Sequence, residues 1–363
     1  MVEVINMLKF AYFQDGDMLT SRDGTVVGDR KLVAEITVKA EKCADIYIND
    51  TKAVWNGTNF AASILFDKYE TTVVAENRAT GESEEIVLYW LPDFAGKYRV
   101  SLDDNIWFLR EIYENDYDSI FDSEYMAFWK ELHDEFGTKV HINIYYVDEA
   151  DFCITQFPDK YKAEWASCKD WLRLSFHAKQ DQPGRPYLNA GYDEMYKDVT
   201  DVRREIQRFA GSEVMGPVTT LHFGDATREG ARALRDAGYP VLLADFNGPF
   251  ANLPVAYYLT SHAERQHMID RFVWRDRSED ITFVRCAIIA NCYEEEEIPV
   301  FLDAVARDPH RGAFIDILIH EQYFFPHFAY FQANYKDKMR TAVKWAIENG
   351  YESAFLEDIA TEW

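Results

Sequence analysis

Positive charge is scarce in this chain. Its 363 residues carry 38 Lys and Arg against 63 Asp and Glu, a formal net charge of −25, and no dense basic cluster interrupts the excess. A field of that sign disfavours nucleic acid and anionic membrane as partners; it is compatible with a neutral or cationic substrate and with a cation bound among the carboxylates. Cysteine is sparse as well. The five residues Cys43, Cys153, Cys168, Cys286 and Cys292 are odd in number and lack CxxC or zinc-finger spacing, which argues for reduced thiols and a cytoplasmic setting. No apolar run is long enough to span a bilayer, and the opening MVEVINMLKFAYFQDGD lacks the basic stretch and unbroken apolar core of a signal peptide. Internal repeats and low-complexity tracts are missing too.

Core-forming residues, in contrast, are plentiful: 48% of the chain is hydrophobic and 15% aromatic, enough for one large domain and one small one. Residues 1–95 contain short runs of alternating or β-branched character, among them LVAEITVK (32–39), FAASILF (60–66) and EIVLYWL (85–91). Turn chemistry such as Asn56-Gly57 separates them, and no helix signal intervenes, so the expectation is a small all-β sandwich of immunoglobulin-like type. Pro92 and Gly96 mark a junction.

From residue 96 to 363 the rhythm changes to strands alternating with amphipathic helices, the pattern of a parallel sheet covered by helices. The run YRVSLDD predicts a strand. DSEYMAFWKELHDEFG predicts a helix whose Met126, Trp129, Leu132 and Phe136 share a face, and KVHINIYY predicts the next strand. Continuing to the C-terminus, the count is about seven strands, enough to close a deformed (β/α)7-type barrel.

Catalytic groups of a parallel α/β barrel gather where the strands end, because the following loops converge on one mouth. Polar residues fall at those ends here. Asp103 and Asp104 follow the first strand, His177 ends WLRLSFH, His222 ends VTTLH, Asp245 ends VLLAD and His320 ends IDILIH. Five such positions in register place carboxylates and imidazoles on one rim, the ligand types a divalent cation takes while leaving positions open for water. Zn, Co, Ni, Mn and Fe all accept such a set.

These residues resemble a known family. SLDDNI is similar to the opening motif of the polysaccharide deacetylases (the NodB-homology, carbohydrate esterase 4-like group), and further similarity follows in order. HAKQD, from His177 to Asp181, stands in the place of a histidine pair spaced by four. HFGDATREGARALRDAGY resembles the stretch ahead of a helix ending Ala-Gly-Tyr, LIH at 318–320 the late Leu-x-His, and WAIENGYESAFLEDI the closing helix and strand. Two positions depart from the pattern: Asp181 replaces the second histidine, and His222 stands where Arg is usual. The resemblance implies metal-dependent hydrolysis of an N-acetyl or related amide, with Asp104 and His177 as ligands and Asp181 or His222 as the third. It also implies Asp103 as base and His320 as general acid.

Around this set, Asp245 orients a catalytic histidine or caps the loop before Asn247-Gly248, and Arg185 and Tyr187 line the mouth against substrate or are ordinary loop residues. Asp103 and Asp104 could instead cap the helix NIWFLREI, and Glu321 could pair with His320. The aromatic run YFFPHFAYF after His320 suits a sugar-stacking wall, a lid or a homo-oligomer interface equally. A small-molecule or carbohydrate substrate is the expected partner. Two other readings use the same residues: a catalytically degenerate barrel that binds carbohydrate or serves a structural role, and hydrolysis of a nitrogen-rich cyclic amide.

Overall fold

The computed structural model describes residues 8–182, 184–246 and 255–362, so Pro183 of the predicted turn and the Asn247-Gly248 loop lie outside the described residues. The chain is mixed α/β, with several sheets and eight α-helices among the described residues.

The first ninety residues form two mainly antiparallel sheets and no helix among those described. Leu32–Lys39 pairs with Phe60–Phe66 in one, and Glu82–Trp90 with Glu70–Asn77 in the other. Alternate residues of the central strands, such as Ala34, Ile36 and Val38, point inward and meet Val73, Ala75, Ile86 and Leu88 in one apolar cluster.

From Lys97 the strands are mostly parallel and are numbered here from β1 (Lys97–Asn105). They continue as β2 (Val140–Tyr145), β3 (Leu172–Ala178), β4 (Val218–Thr220), β5 (Val241–Ala244), β6 (Val273–Asp276), β7 (Ile281–Arg285), β8 (Ile288–Ile289) and β9 (Phe314–His320). One sheet runs in the order β3-β2-β1-β9-β8, with Glu352–Ser353 paired to the start of β1; the other runs β4-β5-β7-β6, and only β6 is antiparallel. The strands are buried on both faces, which explains their nearly continuous apolar runs.

The two sheets are linked. The N–H of Leu174 in β3 bonds the carbonyl of Val214, just ahead of β4, at 2.7 Å. The segment 281–289 serves both sheets, pairing with β5 through β7 and with β9 through β8.

Helices cover these strands with the stripes their periodicity predicts. Met126, Trp129 and Leu132 are buried on Glu124–Phe136, and Val199, Val202, Ile206 and Phe209 on Tyr192–Phe209. Gly137, at φ 67°, closes the former in the left-handed conformation glycine adopts without a Cβ clash. The β-rich region and the α/β region share a seam, where Asp17 and Asp23 meet Arg271 and His267. No described helix is long and apolar enough to cross a membrane.

Candidate metal centre

Asp103 and Asp104 sit at the end of β1, where a regular strand would turn them to opposite faces. The pairing of β1 with β2 is irregular between Leu102 and Asn105, and Asp104 takes φ 63°. This bulge re-aims the chain so that both carboxylates line the same cavity. Left-handed backbone costs a non-glycine residue about 1 kcal/mol, least for Asp and Asn, which suits the residue found there.

Three side chains converge beside it. Oδ1 of Asp104 lies 2.8 Å from Nε2 of His177 and 3.1 Å from Nδ1 of His222, and the two imidazole nitrogens are 3.3 Å apart. Among the described residues these three are the one cluster of potential ligands whose donor atoms all lie within 4.8 Å of one another. His177 donates from Nδ1 to the carbonyl of Thr220 at 2.6 Å, which leaves Nε2 as the nitrogen aimed at Asp104. Two acceptor atoms 2.8 Å apart call for a shared proton or cation between them.

The electrostatics agree. Burial pushes Asp104 up, but the bonds to His177 and His222 outweigh it and hold the carboxyl well below its usual range. His222 is also buried, which lowers its pKa, yet Asp104 and Asp181 on its two sides outweigh the burial and raise it to about 9. The pocket is therefore built to hold positive charge. Its donor set of one carboxylate and two imidazoles fits a divalent cation.

No protein-family model matches the chain, and no curated protein matches it. The site therefore has to be read from its own geometry.

Asp103 is buried, and burial raises its pKa against the opposing pull of His177 and His320. Its Oδ1 accepts from Nδ2 of Asn143 at 2.7 Å. His320 is its register partner on β9, held by Oδ1 of Asn291 at 2.9 Å from Nδ1. Asp181 is half exposed and stands behind His222, 3.4 Å from Nε2, outside the group of three. Asp245 lines the same cavity, 4.0 Å from Nη2 of Arg285.

Arg185 and Tyr187 are placed differently. Arg185 donates to Oδ2 of Asp225 at 2.8 Å and lies 5.4 Å from the Phe223 ring, behind the wall. The Tyr187 hydroxyl is buried, accepting from the N–H of Lys179 and donating to Asp198. Neither residue lines the cavity among its described walls.

The capping alternative for the aspartates and the pairing alternative for Glu321 both give way to another arrangement. Glu321 is fully buried and accepts the N–H groups of Ile106, Trp107 and Phe108 at 2.7, 2.8 and 2.7 Å. It caps Trp107–Asn115, leaving both aspartates free for the cavity and His320 to Asn291.

Residues outside the acid and histidine series complete the site. The Tyr145 hydroxyl donates to Oδ1 of Asp104 and lies 2.9 Å from Nδ1 of His222. Below Asp103, Asn143 accepts from Ser175 at 2.5 Å, and Ser175 bonds His141 at 2.8 Å. Their signal was present as period-2 polar positions inside apolar strands: Ser101 before Asp103, Asn143 before Tyr145, and Ser175 before His177. Gly224, at φ 56°, lets the turn after His222 pass Ala244, where an added Cβ would lie 2.8 Å from that residue's own.

Proposed function

We propose that the protein is a divalent-metal-dependent amidohydrolase, a deacetylase of N-acylated small molecules or sugars. One observation carries the reading: Asp104, His177 and His222 converge at a strand-end rim with Asp103 beside them and His320 on the neighbouring strand. The ordered resemblance to the polysaccharide deacetylases adds weight. On this reading the two linked, mainly parallel sheets belong to one deformed barrel, and the N-terminal antiparallel sheets to an immunoglobulin-like sandwich. Five unpaired cysteines accord with a cytoplasmic setting.

Asp104, His177 and His222 would hold the ion. When bound, it supplies a Lewis acid for the amide oxygen and lowers the pKa of water. Asp103, kept in place by Asn143, accepts a proton from the attacking water. His320, fixed through Nδ1 by Asn291, turns Nε2 toward the cavity to protonate the departing nitrogen. The amide C–N bond breaks, water oxygen joins the acyl carbon, and the amine leaves with the proton. Tyr145 orients Asp104 and His222, and Asp181 steadies the far side of His222.

Elemental analysis of protein purified without chelator tests the assignment. A stoichiometric divalent ion is expected, with loss in Asp104→Ala; full occupancy in that variant would overturn it.

A further inference from the structure

We propose that the cavity selects an N-acylated substrate that also carries a free, protonated amino group. The acyl end of this proposal rests on the amidohydrolase reading; the charged end rests on the cavity walls.

The cavity has a volume of about 860 Å³, far more than an acetyl group fills. Among its described lining residues are six carboxylates (Asp103, Asp104, Asp148, Glu149, Asp181 and Asp245) and no lysine or arginine. A divalent ion offsets two of these charges. Arg110, paired with Asp148 behind the wall, and Arg285, near Asp245, offset one each. His320, protonated as the general acid, offsets a further one, and one negative charge remains. It belongs to a walled cleft, where low-dielectric surroundings focus the field toward an entering ligand.

The wall chemistry locates the second ligand group. The Trp107 indole N–H donates to Oε2 of Glu149 at 3.2 Å, while Nη1 of Arg110 lies 3.6 Å from Oε1 and its guanidinium 6.0 Å from the Trp107 ring; a carboxylate, 61% exposed, and a large aromatic face thus form one feature at the rim that already draws one cation. His327 lies over Trp107 at 4.6 Å, and Phe328 meets its edge at 5.8 Å. A carboxylate beside an indole face is the pairing that holds an alkylammonium, by charge and by the ring quadrupole. Deeper in, the Thr220 hydroxyl is buried in the cavity wall without a hydrogen-bond partner, a polar atom that a ligand can satisfy. Between these points the walls are apolar, with Val147, Leu221, Phe223 and Leu318. The complementary molecule has an acylamide at one end, an aliphatic or weakly polar middle and an ammonium at the other. A carboxylate or phosphate in place of the ammonium meets repulsion.

Titration calorimetry on the zinc-loaded full chain tests this with three probes of matched length: N-acetyl-1,4-diaminobutane, neutral N-pentylacetamide and anionic N-acetyl-5-aminopentanoate. The cationic amide is expected to bind at least tenfold tighter than the neutral one and the anionic one most weakly, with the cationic advantage shrinking in 0.5 M salt. Glu149→Gln is expected to reduce the cation-to-neutral ratio at least threefold. Equal affinities, a preference for the anion, no measurable binding of any probe, or a ratio unmoved in Glu149→Gln combined with Asp181→Asn each overturns the proposal. Turnover of the same probes separates the two readings. Cation-selective binding without hydrolysis removes the hydrolase assignment and leaves the selectivity, whereas equal kcat/KM for all three does the reverse.

Discussion

His177 gives its Nδ1 proton to the Thr220 carbonyl at 2.6 Å and thereby presents Nε2 to Asp104 Oδ1 at 2.8 Å. A main-chain acceptor on the first strand of the second sheet thus sets the tautomer of a candidate ligand and ties its orientation to the join between the two sheets. Zinc binding should therefore add directly to folding stability. At a zinc concentration one hundred times Kd, the wild-type unfolding free energy should rise by about 3 kcal/mol, and that of His177→Ala by less than about 1 kcal/mol. Urea unfolding with and without zinc measures both, and equal gains in the two proteins would exclude His177 as a ligand.

Tyr145 touches Asp104 and His222 but offers no ligand atom of the usual type. Removing its hydroxyl leaves the three candidate ligands in place while freeing two of them to rotate. Tyr145→Phe should keep one bound ion per chain and weaken its affinity roughly 10- to 100-fold, the range typical of outer partners in metal sites. Competition with a chromogenic chelator reads this. Unchanged affinity would mean that packing alone fixes the two ligands.

Much of this architecture was legible in the chain because buried parallel strands read as continuous apolar runs and their helices as stripes. FAASILF and FIDILIH match strands Phe60–Phe66 and Phe314–His320 residue for residue. Other elements carried no such mark. The helix His262–Arg271 buries only Met268 and Arg271, so it has no apolar stripe, and β6, with sequence VWRD, is an edge strand without alternation. TFVRCAIIAN reads as one strand, yet it breaks at Cys286 and Ala287 to serve two sheets. Strand-end acids and histidines pointed to the rim, but Tyr145 at such an end looks like core. The choice of His222 over Asp181 beside Asp104 depends on side-chain reach across strands, which spacing cannot specify.

Glu321 caps a helix from more than two hundred residues away, joining the loop after β9 to the first turn that carries Trp107. Three N–H groups lose their acceptor in Glu321→Ala, and a destabilisation of roughly 3 kcal/mol is expected, since each buried donor left unsatisfied costs about 1 kcal/mol or more. Glu321→Gln keeps acceptor oxygen but turns an amide N–H₂ against a backbone donor, so its cost should fall between wild type and alanine. Trp107 fluorescence should shift in the alanine variant at concentrations of urea where wild type is still folded. A loss below about 1 kcal/mol in Glu321→Ala would show that water replaces the cap.

Asp316 and Arg99 are both wholly buried beneath the rim, with Oδ1 and Nε 3.6 Å apart. Burial pushes Asp316 up to about 6, and Arg99 pulls the other way without cancelling it. A carboxyl whose folded pKa exceeds its unfolded value favours folding when protonated. Its contribution is intact below about pH 4 and is lost as pH rises to about 6 and above, by roughly 3 kcal/mol for a shift of this size. Asp316→Asn removes the titration. Whatever offset that substitution introduces at pH 4, wild type should lose about 2–3 kcal/mol relative to it by pH 7, as read by urea unfolding at half-unit pH intervals. A constant difference across that range would mean that the Arg99 charge fully compensates the buried carboxylate.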